Sequence, residues 1–226
     1  MQARRQYPAE VLIAINWETI SAFATALGTL VLAAATFSAV RSSNRSARIA
    51  EAAFQANLRP VLVTSRLDDP VQKIRWMDDH WARLDGSQAS VELVDGIIYL
   101  AISVRNVGSG LAVTFGWFVF TEQALNDVDH APADEFRLQS RDLYVAPGDI
   151  GFWQAAIREP NDPAYVALSR DIRNAEPFTI EVLYGDHEGG QRTITRFGMI
   201  AKRVGDDTKW IPSVARHWNL DRPDPR

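Results

Sequence analysis

TISAFATALGTLVLAAATFSAV, residues 19–40, carries no charged side chain. An α-helix rises about 1.5 Å per residue, so this stretch spans roughly 33 Å, enough for a bilayer core of about 30 Å. It reads as a single transmembrane helix. Trp17 precedes it, where an amphipathic indole suits the headgroup level, and Glu18 marks the wet end. Arg41, Arg45 and Arg48 follow the run at once, whereas Arg4 and Arg5 lie far before it, with Glu10 and Glu18 between. Basic residues close to a span sort to the cytoplasmic side. The expected topology is therefore single-pass in the inner (plasma) membrane, with the C-terminal part in the cytoplasm. A cleaved signal peptide fits less well, because the leading region holds two Glu and the apolar run outlasts an ordinary h-region. A buried core helix is the other rival, and the length argues against it.

Small residues recur along the span. Ser21, Thr25, Thr29 and Ala33 are four apart, as are Ala24 and Gly28. Such spacing lets helices approach closely, so the span is a candidate for homo-oligomer formation, although an Ala-rich run also produces it by chance. Residues 41–58, RSSNRSARIAEAAFQANL, contain neither Gly nor Pro and continue the helix as a stalk. Pro60 disfavours helix at Arg59 and should end it there. The expected division is a tail over 1–18, a transmembrane helix over 19–40, a helical stalk over 41–59 and a β domain over 60–226.

The 226 residues include no Cys, which excludes disulfides, thiolate chemistry and Cys-ligated zinc. The net charge of −4 is unevenly spread. Residues 1–59 hold six Arg against three Glu, so the remainder is distinctly acidic. An acidic domain is a poor partner for phosphate backbones, and no nucleic-acid binding is expected.

From Pro60 onward the pattern becomes short and β-rich. Pro60–Leu67 and Val71–Trp76 read as partner strands, and Asp78 to Gln88 as a loop or helical turn. Asp95-Gly96 is a turn dipeptide before Ile97–Asn106, which is apolar on both faces and so central. Leu111–Thr121 follows, with Gly116 as a candidate bulge. Ala124–Ala133 reads as a loop, Phe136–Val145 and Ile150–Ile157 as strands, and Pro163–Asn174 as a short helix at the sheet edge. Phe178–Tyr184 and Gln191–Ile200 flank a six-residue hairpin loop, and a tail with a frayed DRPDPR end closes the chain. Turn-punctuated strands at this spacing predict a mainly β domain, an antiparallel β-sandwich, with an eight-stranded barrel as the alternative.

One apolar helix, an Arg-flanked exit, RPVL, NVGSGLA, a PGD turn and YGDHEGG occur in this order. In this the chain resembles bacterial single-pass, membrane-anchored proteins with an immunoglobulin-like domain. That resemblance implies an immunoglobulin-like sandwich and assigns no activity and no functional residue.

Chemistry is sparse. Asn106–Gly110 contains G-x-G, but Val113 stands where a dinucleotide fingerprint needs its third glycine and a strand follows, so a turn with Gly at positive φ is expected. Asp78-Asp79-His80 and Asp186-His187-Glu188 are adjacent triplets that cannot all face one ion from a regular element, and the other two His are His130 and His217. Ser103, Ser109 and Ser169 have no local partner pattern and G-x-S-x-G is absent. No catalytic, cofactor-binding or metal residue is assigned. Trp117 and Trp153 sit in apolar strands and belong to the core, whereas Trp76, Trp81, Trp210 and Trp218 either pin the loop and tail or line a surface. The reading is a membrane-tethered recognition or scaffold module without evident catalysis, partnered by the bilayer and an unidentified protein. The alternative is a ligand-sensing, nucleotide-responsive membrane effector whose β domain drives its anchors together.

Overall fold

The computed structural model of the chain describes residues 17–120, 129–205 and 207–222, without the side chains of 55–57. The expected tail before Trp17, most of the 124–133 loop and the last residues of DRPDPR lie outside the described residues. The chain forms two compact units, Met1–Ala53 and Phe54–Arg226.

Helix α1 (Trp17–Asn57) runs unbroken through the apolar stretch and the stalk. It is one helix long and apolar enough to cross a membrane, and no residue of its apolar window is buried. Hydroxyls within the apolar stretch bond back to the helix's own carbonyls. Thr25 Oγ1 donates to the Ser21 carbonyl at 2.9 Å, Thr29 to Thr25 at 2.8 Å and Thr36 to Leu32 at 2.8 Å. Such back-bonding lets hydroxyls sit in apolar surroundings. The helix stops at Asn57, three residues before Pro60, as the restriction before proline requires.

The second unit is mainly β. Strands β1 (Leu62–Thr64), β4 (Ala89–Val94), β5 (Ile97–Asn106) and β9 (Ile150–Ile157) form one half of a ten-stranded sheet. Strands β6 (Ala112–Phe120), β7 (Arg137–Leu138), β8 (Tyr144–Val145), β10 (Phe178–Gly185), β11 (Arg192–Val204) and β12 (Asp207–Asn219) form the other. The halves are joined through one bridged pair, Trp210 opposite Ala89. All the pairings are antiparallel. Among the described residues the sheet does not close: β9 pairs only with β5, and β7 and β8 only with β6.

Both halves contribute to one core. Leu100, Ile102 and Trp153 meet Ile180, Val182, Phe197 and Trp210 there. Helix α2 (Pro163–Asn174) adds Tyr165 and Leu168. It starts on Asp162, whose carboxylate accepts the Ala164 amide at 2.9 Å, and ends on Ala175 at φ 56°.

The outer faces are covered too. Strands β2 (Gln72–Arg75) and β3 (Trp81–Leu84) form a separate hairpin. Its Ile74, Trp76, Ala82 and Leu84 pack on Tyr99 and Ala101. This corrects two expectations. Val71–Trp76 pairs with the chain just after it, not with Pro60–Leu67, and the stretch read as loop contains a strand. On the other half, Ala131 and Phe136 pack on Leu183, Ile194 and Trp218. Strand β5, expected to be central, has β9 on one side and β4 and β1 on the other.

Asp95 at φ 50° and Gly96 at φ 77° make the tight turn between β4 and β5. The bulge expected at Gly116 falls beside it, where pairing with β10 skips Phe115. The segment expected as one strand over Phe136–Val145 is two short ones, β7 and β8. The tail after Lys209 is not loose, because β12 pairs with β11 along its whole length.

Candidate functional site

The open seam between β9 and the β7 side of the sheet holds a cavity of about 340 Å³. Its lining includes Trp76, Asp78, Trp117, Leu138, Gln139, Gln154 and Arg158. Small-molecule sites begin near this size. Each wall is held in place. The Trp76 indole N–H donates to the Ala155 carbonyl at 3.0 Å. Trp117 lies edge-on to Trp153, with ring centroids 5.9 Å apart, and the Arg137 guanidinium sits 5.3 Å from the centroid of the Trp117 ring. Arg137 in turn grips the Asp162 carboxylate with two hydrogen bonds, 2.5 and 2.7 Å. That grip holds the Asp162 carboxyl below its ordinary value.

At the rim, Asp78 Oδ2 accepts from the Tyr99 hydroxyl at 2.8 Å and from Arg158 at 2.9 Å. Burial pushes the Asp78 carboxyl up, but these hydrogen bonds outweigh it, and the group stays below its ordinary value. The Tyr99 hydroxyl is pushed up by burial and by the Asp78 charge. A direct hydrogen bond crosses the seam here, Gln139 Nε2 to the Gln154 carbonyl at 2.7 Å. The Oε1 atoms of both glutamines are enclosed and have no hydrogen-bond partner. Gln154 is 3% exposed.

A second cluster lies where the chain enters the β domain. Asn106 is fully buried and uses every side-chain lone pair and hydrogen. Its Oδ1 accepts from Val61 N at 3.1 Å and Gly108 N at 3.0 Å, and its Nδ2 donates to the carbonyls of Gly110 and Val145. Arg59 donates to Thr193, Asn219 and Asp221. The Tyr184 hydroxyl accepts the Leu62 amide at 3.0 Å and shares a hydrogen bond with Thr195, which also bonds His217. Burial pushes the Tyr184 hydroxyl up to about 12, so it keeps its proton.

This cluster corrects the reading of Asn106–Gly110. Neither Gly108 nor Gly110 has positive φ. A Cβ on Gly108 would stand 2.2 Å from the Arg59 carbonyl, and one on Gly110 would stand 1.6 Å from that of Leu58. The glycines serve close backbone approach, not turn geometry.

A third polar feature lies on the outer face of β10 and β11. Glu181 and Arg196 are fully buried and paired at 2.7 Å. Arg196 packs between Phe120 and Trp218, at 5.0 and 4.7 Å. Glu181 accepts the Ala131 amide and Arg196 donates to the Asp129 carbonyl, so the pair fastens the covering segment. Burial pushes the Glu181 carboxyl up.

The other residues singled out in the sequence do not converge. His80 stacks on Tyr99 at 3.9 Å and bonds Glu92. His130 bonds the Ala131 carbonyl. Asp186 accepts the Gln191 amide within the six-residue loop, and His187 and Glu188 are exposed there. Among the described residues no group of three His, Asp or Glu can hold a metal ion. Ser103 bonds Ser65 and Gln72, and Ser169 bonds the Val166 carbonyl of its own helix. Trp210 and Trp218 are buried, Trp76 lines the seam, and Trp81 is 57% exposed under Arg75. Gln139 and Gln154 carried no signal in the sequence.

No protein-family model matches the chain, and no curated protein matches it. One solved structure, described as a protein from Archaeoglobus fulgidus, is similar at 15% identity and a TM-score of 0.23, over 69% of this chain and 97% of that one. A likeness at that score assigns neither fold nor function.

Proposed function

We propose that the chain is a single-pass membrane-tethered recognition module. The observation that carries this is the exposed apolar surface of α1, where Phe23, Leu30, Leu32 and Phe37 are each at least 67% exposed. Water does not tolerate so continuous an apolar surface, and a bilayer does. The tether confines the β domain to the membrane surface and so raises its effective concentration for partners there. Arg41, Arg45 and Arg48 support a cytoplasmic domain. The single Trp210–Ala89 bridge between the two halves supports a sandwich of immunoglobulin-like kind. The four-residue spacing from Ser21 to Ala33 supports pairing of two anchors in the membrane. In this reading the full-length chain stays in the membrane pellet after an alkaline carbonate wash, and a variant carrying Leu27→Arg and Leu30→Arg is released. Release of the unaltered chain would overturn the tether.

A ligand-sensing effector is the second reading, and the seam cavity favours it. It lies between two sheet edges, where a bound molecule would bridge β9 and β7. A ligand that binds only the folded chain raises its melting temperature, increasingly so as its concentration exceeds the dissociation constant. Thermal shift of the full-length chain in detergent micelles separates the two readings, because a pure scaffold shows no saturable rise with any small molecule.

A further inference from the structure

We infer that the basic face of α1, just past its apolar stretch, is a binding site for an anionic phospholipid. Arg41, Arg45 and Arg48 hold the headgroup phosphate, and the apolar residues before them take the acyl chains. The inference rests on the tether reading and goes on to name the class of lipid that the anchor binds. Three observations lead to it.

The first is that the arginines are one-sided. At about 100° per residue, positions 41, 45 and 48 fall within an arc of about 60°. The opposite side at the same level carries Ala39, Ser43, Ser46, Ala47 and Ala50. Sorting a helix end to the cytoplasm depends on how many basic residues lie close to the span, and makes no demand on which face they occupy. Arg41 and Arg45 are four apart, a like-charged pair that weakens a helix unless an anion offsets it. Gathering the charges on one face therefore needs a reason beyond orientation.

The second is that the chain itself does not pair them. All three arginines are exposed, and among the described residues none makes an ion pair or hydrogen bond through its guanidinium. A planar guanidinium donates two parallel hydrogen bonds to phosphate oxygens, which suits it to this partner better than an ammonium.

The third is what lies along the same side of the helix before them. Phe23, Leu30 and Phe37 are 75%, 70% and 70% exposed. A shallow groove joins this strip to the cations, lined among others by Phe37, Ser38, Arg41, Arg45 and Arg48. An apolar strip that ends in three cations matches a molecule whose acyl chains end in a phosphate. A soluble phosphate leaves the strip uncovered, and so does a nucleic acid.

Native mass spectrometry of the full-length chain tests this. The chain is released from neutral detergent micelles that hold equal amounts of phosphatidylglycerol and phosphatidylcholine with the same acyl chains. A micelle has no two sides, so the result does not depend on topology. Phosphatidylglycerol should stay on the chain at least about fivefold more often than phosphatidylcholine, given the attraction of basic residues to anionic lipid. Excess inorganic phosphate should not displace it. A variant carrying Arg41→Gln, Arg45→Gln and Arg48→Gln should hold the two lipids almost equally. A second variant keeps Arg41 and carries Arg45→Gln, Arg48→Gln, Ser46→Arg and Ala47→Arg, which preserves the charge and spreads it round the helix. It should lose most of the preference too. A preference as strong in either variant as in the parent overturns the site, because a diffuse field or another part of the chain would then account for it. Equal retention of the two lipids by the unaltered chain, or displacement by inorganic phosphate, also overturns it. The carbonate wash judges the tether separately. A chain that stays in the membrane pellet without a lipid preference keeps the anchor and loses the site. A chain that is released yet prefers phosphatidylglycerol keeps the site and loses the anchor.

Discussion

Gly110 shows how a residue can be noticed for the wrong physical reason. In sequence it is one of two glycines in a turn-like run, and positive φ is the ordinary explanation. In the structure its backbone is unexceptional, and the space for a Cβ is taken by the Leu58 carbonyl. Gly110→Ala should therefore destabilise the β domain by roughly 1–3 kcal/mol, the usual cost of forced overpacking. Gly190→Ala is the control, since its nearest neighbour is the Asp186 carboxylate at 3.6 Å. Thermal melts of the two variants should separate clearly. The residue was legible, and its partner, fifty-two positions earlier, was not, because nothing in local spacing reports a distant backbone.

Arg59 belongs to the same scale. It joins Thr193, Asn219 and Asp221, all at the far end of the chain. Burial pushes the Asp221 carboxyl up, but the Arg59 hydrogen bond and the Arg192 amide outweigh it and hold the group below its ordinary 3.8. A depressed carboxyl contributes stability that is fully present above the unfolded value and is lost as pH falls through the folded one. Arg59→Met should cost about 1–3 kcal/mol near neutrality, the range for hydrogen bonds to charged groups. The gap between variant and parent in urea melts should narrow as pH drops below the ordinary carboxylate value. A gap that is constant down to the acid limit would mean that Asp221 is not the partner that matters.

At the scale of elements, long and periodic segments were readable and short ones were not. Ile97–Asn106 is apolar on both faces because the main core lies on one side and the β2–β3 hairpin on the other. The helix over Pro163–Asn174 has its cap in view, with Asp162 before Pro163. Strand β3 offers only four residues of alternation, Trp81-Ala82-Arg83-Leu84, beside an acidic triplet, and so reads as loop. Strand β12 is obscured by Pro212. A proline cannot donate to a ladder and usually marks an edge. Here it pairs with Met199, while β12 meets β4 only at Trp210, so the missing N–H faces no partner strand. The edge of β9 is managed by side chains. Gln139 donates to the Gln154 carbonyl, which faces away from β5, and this blunts the edge against pairing with another chain.

At the scale of the whole molecule, the long apolar helix was the most legible feature, because length and composition alone decide whether a helix is suited to a bilayer. The seam cavity was the least legible. Trp76, Gln139 and Gln154 are far apart in sequence, and only the failure of the sheet to close brings them together. The proposed function therefore stands on α1 as an anchor and on which side of the membrane it leaves the domain. The chain has no Cys, so one introduced thiol reports its own location without background. Glu188→Cys places it in the exposed hairpin loop between β10 and β11. Cells making this variant should carry it in the membrane fraction, unlabelled by a membrane-impermeant maleimide until the membrane is permeabilised, and fully labelled afterwards. Labelling in intact cells, or recovery of the chain in the soluble fraction, would contradict the account.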